Sequence, residues 1–193
     1  MEYSSEENLI IQSTCNAVLL SSLSAHEESF LQSEFFKKLD FFFPKVKILY
    51  DKRQTHIGNQ GMLMVCLYAL LVLPKERILN KYPDNYKNVN DWIETHKEDC
   101  TDTCTYTKEG IRSEGFKHIR HLRNAVAHGN VEFDDSNPEH IICIFTDSIK
   151  GGKAGYTLKI SIIAVGELVK ELITDQKSNV EDIVKRQQET EKK

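Results

Sequence analysis

Twelve consecutive residues, Met62-Leu63-Met64-Val65-Cys66-Leu67-Tyr68-Ala69-Leu70-Leu71-Val72-Leu73, carry no charge and are apolar almost all round. A helix of this kind buries every side. It is too short to span a bilayer, which takes about 20 apolar residues. The run therefore predicts a central core helix, stopped by Pro74, against which other helices pack. At 193 residues the chain fits one domain with a full core.

A second stretch, Phe116 to Asn130, separates into two faces when read as a helix. With Arg123 at zero and about 100° per residue, Ala127, Arg120, Asn124, Lys117, His128 and His121 fall between about 40° and 160°. Ile119, Leu122 and Val126 gather between about 260° and 320°. The apolar side is expected to pack on the 62–73 helix. Ala127 is small enough to let a backbone or ligand come close. Gly129 suits a left-handed helix stop, which puts His128 in the last turn. From Lys117 to His128 there are three cationic residues, three histidines and no acid. The whole chain has a net charge of −4 and a pI of about 6.0, which argues against a protein that coats nucleic acid. A positive spot on a mildly acidic chain reads either as a phosphate-recognising site or as a solvated helix face.

The remaining chain supplies further helices. Ser4 with Glu7 forms a capping box before a helix expected to end near Ser21-Ser22. Ser24 with Glu27 forms another, opening a longer helix through Leu39. Phe41-Phe42-Phe43-Pro44 interrupts it; the aromatics read as core, with a base-stacking platform as the alternative. Lys45 to Gln54 continues as helix, and Ile57 to Gly61 turns. A short helix is expected at Lys75–Lys81, a loop at Tyr82–Asn90, and a helix at Asp91–Glu98 capped by Asn90. The motif helix is expected to start between Thr105 and Ser113.

After Gly129 the period changes. Val131-Glu132-Phe133, Ile141 to Phe145 and Tyr156 to Ile160 read as strands, separated by a turn at Asp134–Pro138 and a glycine loop at Lys150–Gly155. That loop lacks Gly-Lys-Ser/Thr, so it reads as a hairpin turn and not as a phosphate cradle. Ser161 caps a further helix through Leu172. Ser178 with Glu181 is expected to open a separate short helix before a fraying polar tail. These patterns give one domain over 1–176, followed by a short helix and polar tail over 177–193.

Five cysteines without framework spacing read as reduced thiols in a cytoplasm. The opening residues carry no signal-peptide pattern, and no membrane partner is expected. His96, Cys100 and Cys104 are spaced by four, but the intervening threonines disfavour a helix there and no fourth ligand has suitable spacing. No metal site and no cofactor are expected.

The polar face carries groups that fit one reaction among other readings. RNA is cut without metal when its own 2′-OH attacks the adjacent phosphorus. That needs a base, an acid and a cation for the developing phosphorane charge. His128 supplies the proton carrier and Arg123 the planar phosphate clamp. Asn124, one turn before His128, orients the imidazole or holds a phosphate oxygen. Lys117, Arg120 and His121 are placed to guide the strand. One histidine does not easily serve as both acid and base. His121 lies about 10 Å along the axis, too far to share a phosphodiester. The site therefore asks for two chains.

Arg123-Asn124-Ala125-Val126-Ala127-His128, on an amphipathic helix ending in His-Gly before a hairpin pattern, resembles the signature of the HEPN domains: Arg, a polar residue, a few more positions, then His. The resemblance is to single-domain bacterial members and covers most of the chain, weakly outside residues 112–175. It implies a mainly α fold, a helical bundle with a small antiparallel sheet inserted after the motif helix. It implies a homodimeric, metal-independent endoribonuclease acting on single-stranded RNA, as a toxin or effector in bacterial defence. An antitoxin, sensor or defence-complex partner goes with that role. Two other readings stand beside it: a non-catalytic HEPN-like module that binds nucleotide or a partner protein, and a structural helix whose Arg123 and His128 bond local acids or carbonyls.

Overall fold

The period change at Gly129 marks a real boundary between helix and sheet. A computed structural model describes residues 4–39, 44–73, 86–103, 117–148 and 154–191. Phe41–Phe43, Lys75–Lys81, Thr105–Ser113, Cys104 and Lys150–Lys153 lie outside the described residues. In chain order the elements are α1 (Ser5–Ala25), α2 (Glu27–Leu31), α3 (Glu34–Leu39), α4 (Pro44–Asp51) and α5 (Gln60–Leu67), which runs on as one π-helical turn (Tyr68–Val72). Then come α6 (Lys87–His96), β1 (Asp99–Asp102), α7 (Lys117–Ala127), β2 (Val131–Asp134), β3 (Ile142–Ser148), β4 (Ala154–Ser161) and α8 (Ile162–Glu191). The protein is mainly helical, with one antiparallel sheet of order β1-β4-β3-β2.

The motif helix α7 lies in the middle, packed on β3 and on the π-helical turn. Its Ile119, Leu122, Ala125 and Val126 are buried against Leu67, Leu70 and Leu71, and against Phe145 from the sheet. The expected packing of the two apolar stretches therefore holds. The core helix is not covered on every side, however. Val65 is 56% and Tyr68 44% exposed. Both lie on one side of α5 that no other described element covers, because α1, α7 and α8 occupy the rest.

Several boundaries differ from expectation. The Ser4–Glu7 capping box is present, with the Glu7 N–H donating to Ser4 Oγ at 3.2 Å. α1 passes Ser21-Ser22 and absorbs Ser24, so the next cap is Ser33, whose Oγ accepts from the Phe36 N–H at 3.1 Å. At the other end of the chain, α8 runs unbroken through Ser178 to Glu191, replacing the expected separate helix. Its buried stripe continues at helical spacing through Leu172, Gln176, Asn179 and Ile183. The two amides can be buried because they are bonded: Gln176 Nε2 donates to Tyr86 Oη at 2.6 Å, and Asn179 Nδ2 to Gln176 Oε1 at 3.4 Å.

Asn90 has a different job from the one its sequence position indicates. α6 begins before it, so Asn90 sits inside that helix, 5% exposed. Its side chain reaches across to α7. Oδ1 accepts from the His118 N–H at 2.8 Å and the Ile119 N–H at 3.4 Å, and Nδ2 donates to Tyr86 O at 2.7 Å. One helix thus caps the N-terminal amides of another. Asn90→Ala would leave these buried donors without their acceptor. Equilibrium urea unfolding is expected to show a loss of about 1–3 kcal/mol. An unchanged midpoint and slope would refute the cap.

Asp175 carries a pH signature. Its Oδ2 is buried and has no hydrogen-bond partner among the described residues. Burial, with a contribution from Glu171, pushes its carboxyl from the ordinary 3.8 up to about 6. Between those values the folded chain binds the extra proton, so this group's contribution to stability falls as pH rises from about 4 to about 6. Asp175→Asn is expected to raise Tm at pH 7 and to leave it unchanged below pH 4. A parent-minus-variant difference independent of pH across that window would contradict the assignment.

Candidate functional site

The end of α7 is built by its stop signal. Gly129 has φ +69°, the left-handed conformation that a glycine adopts at little cost. The Asn130 N–H donates to Ala125 O at 2.8 Å and the Gly129 N–H to Val126 O at 3.3 Å. This pair of bonds is the Schellman arrangement. It leaves His128 as the last residue before the reversal, with its N–H still bonded to Asn124 O at 3.0 Å. His128 and Ala127 are exposed, Arg120 is exposed, and Arg123 and Asn124 are half-buried. Lys117 is the first residue of α7.

Arg123 and Asn124 form one unit. The Arg123 Nε–H and an Nη2–H both donate to Asn124 Oδ1, at 3.2 and 2.8 Å. The other end of the amide is held too: Asn124 Nδ2 donates to Asp147 Oδ2 at 3.0 Å. The same carboxylate oxygen accepts from His121 Nδ1 at 2.7 Å. The His121 ring lies flat on Tyr156, with centroids 4.1 Å apart and planes 9° apart.

His121 is therefore a correction. The expectation placed it on the polar face as an RNA-guiding residue. It is 1% exposed and clamped between an acid and an aromatic ring. At 160° from Arg123 it lies at the margin of the polar arc, where the facing sheet decides which way it counts. The absence of acid within the motif helix was also a local truth only. Asp147 reaches the face from β3, and Glu94 reaches His118 from α6.

His118 belongs to the same buried layer. Its Nδ1 is hydrogen-bonded to Tyr156 Oη and its Nε2 lies 2.7 Å from Glu94 Oε1. Burial first, then the nearby Cys100 and the carboxylates of Asp102 and Glu94, push the Tyr156 phenol up, so it stays neutral. Two histidines of α7 thus flank one tyrosine, one bonded to its hydroxyl and one stacked on its ring.

The sequence contained a signal for Asp147 that the hydrophobic pattern obscures. Successive strand residues face opposite sides. Cys143 and Phe145 on β3 are fully buried, and Asp147 has the same parity. It pairs in register with Tyr156, which pairs on its other side with Asp102. The apolar face of the sheet therefore ends in a polar row pointing at α7. Tyr156 and Glu94 are further residues of the layer that helix periodicity alone does not reveal.

Two buried thiols stay protonated. Burial raises the thiol of Cys66 to about 11 and that of Cys143 to about 12, so neither is a thiolate at neutral pH. Among the described residues no group of three or more His, Cys, Asp or Glu is placed to hold a metal ion. No described helix is long and apolar enough to cross a membrane.

A central amphipathic helix, ending in an Arg-Asn…His face and followed by a small antiparallel sheet inside a helical bundle, defines a HEPN-type module. The chain belongs to the HEPN pEK499 p136 family, whose model matches residues 1–183. No curated protein and no solved structure is significantly similar to it.

Proposed function

We propose that this chain is an endoribonuclease that cuts single-stranded RNA without a metal, as a homodimer, in the role of a toxin or effector of bacterial defence. One observation carries the reading: a guanidinium oriented by two N–H bonds stands in the C-terminal half of α7, and an exposed imidazole follows directly at the end of that helix. HEPN membership supports it, because domains of this type are frequently ribonucleases.

The chemistry is an internal transfer. The 2′-oxygen bonds to phosphorus while the P–O5′ bond breaks, leaving a 2′,3′-cyclic phosphate and a 5′-hydroxyl. One imidazole takes the 2′-OH proton and a second gives a proton to O5′. Arg123 meets the charge that builds on the non-bridging oxygens. Lys117 and Arg120 guide the strand. Two imidazoles require two chains, and an isologous contact at the α7 end places both copies of His128 and Arg123 in one cleft.

The test is purified protein with single-stranded RNA in excess EDTA, alongside light scattering. Cleavage that survives chelation, cyclic-phosphate ends and a dimeric mass are the expected results. Cleavage that stops on chelation overturns the metal-free mechanism. An intact rate from a monomer overturns the paired site. Tight RNA or nucleotide binding without cleavage would move the chain to the non-catalytic reading.

A further inference from the structure

We infer that Asp147, outside the motif helix and 24 residues after Arg123, is the positioning residue of the Arg123–His128 face. The argument starts from an amide. A side-chain amide has a donor end and an acceptor end, and the two are easily exchanged by a flip. Asn124 serves Arg123 only with Oδ1 toward the guanidinium; the flipped amide would set N–H against N–H. Asp147 Oδ2 takes the Nδ2 end at 3.0 Å and so selects the useful orientation. Arg123 then finds one oxygen for both Nε and Nη2.

The carboxylate is itself immobilised. His121 Nδ1 donates to the same oxygen at 2.7 Å, and the His121 ring is fixed by its stack on Tyr156. Tyr156 is the register partner of Asp147 on β4, so the acid and the ring beneath His121 are set by one strand pairing. The side chain of Asp147 is only 14% exposed and that of His121 2%. The line Tyr156–His121–Asp147–Asn124–Arg123 therefore runs from the sheet to the half-buried cation. A half-buried arginine is thus tied to the sheet through the neighbouring asparagine of its own helix. This is the means by which a phosphate clamp is kept within the small positional tolerance that catalysis requires.

The kinetic half of the test rests on the ribonuclease reading; the spectroscopic half does not. Hydrogen exchange of the Arg123 Nε–H and the shift of the Asn124 side-chain amide are read by NMR in the full-length parent, Asp147→Ala, Asp147→Asn and a control, Phe145→Leu. The control lies two residues away on the same strand face, and its hydrocarbon side chain offers these donors no acceptor. Asp147→Ala is expected to speed Arg123 Nε–H exchange by about tenfold or more, while Phe145→Leu leaves it within about twofold even as Tm falls. Asp147→Asn keeps the size and one acceptor oxygen. It should move exchange in the same direction by about threefold, and it stands in if the alanine variant does not fold. In RNA cleavage, Asp147→Ala should lower kcat by about 10²-fold with KM nearly unchanged, as expected when a transition-state contact is misaimed. Parent-rate exchange in the folded Asp147 variants overturns the inference, as does an equal change in Phe145→Leu. A parent chain that cuts no RNA overturns the ribonuclease reading alone, and the exchange measurements still decide the role of Asp147.

Discussion

His128→Ala is expected to reduce RNA cleavage by about 10²–10⁴-fold while leaving the fold intact. The size follows from the role proposed for the imidazole. Every step of the internal transfer moves a proton on or off an oxygen, and a positioned acid or base contributes about that factor. In a symmetric dimer the substitution removes the base and the acid together, which places the expectation toward the upper end. The fold should be indifferent. His128 is exposed, and its backbone N–H keeps its bond to Asn124 O whatever the side chain. Gly129, not His128, adopts the left-handed conformation that ends the helix. The measurement is single-turnover cleavage at enzyme excess, with thermal unfolding of the same preparation. A variant with the parent Tm and the parent rate would remove the histidine from the mechanism and leave a binding module.

Arg123→Ala is expected to cost about 10²–10³-fold in rate, the range for losing one donor aimed at a developing oxyanion. The more informative variant is Arg123→Lys. Lysine restores the charge but not the planar fork, and it cannot place two N–H groups on Asn124 Oδ1 as Nε and Nη2 do. If charge alone mattered, lysine would recover nearly all of the activity. With the geometry seen here it should recover about tenfold at most. Single-turnover rates for the three forms decide the matter, with salt dependence as the control: lost phosphate contacts flatten the salt slope, whereas lost transition-state aim does not. A lysine variant at the parent rate would show that Arg123 acts as a point charge and that its bond to Asn124 is incidental.

Much of the architecture was legible in the order of residues. The apolar run 62–73, the two-faced stretch around Arg123 and the switch to alternating β-branched residues after Gly129 each follow from a periodicity that the backbone imposes. So do the capping box at Ser4, the cap at Ser161 and the left-handed stop at Gly129, because all are made within a few residues. β1 was not legible. Asp99-Cys100-Thr101-Asp102 has no apolar pattern, and it is a strand because its backbone pairs with β4 from Tyr156 to Lys159. An edge strand is specified by its neighbour's free hydrogen-bonding groups more than by its own side chains.

The candidate site divides along the same line. Sequence alone determined which residues stand on α7 and at which angle, since a helix is generated by local hydrogen bonds and one angular step. It placed Arg123, Asn124 and His128 together on that basis. Only tertiary structure decided what lies opposite. It turned His121 inward onto Asp147 and Tyr156, brought Glu94 to His118, and moved Asn90 from capping its own helix to capping α7. The hydrogen bonds among these contacts join residues 24 to 28 positions apart. No local rule reaches that far, because such pairs meet only after the sheet register and the helix packing have been set by burial of the core between them.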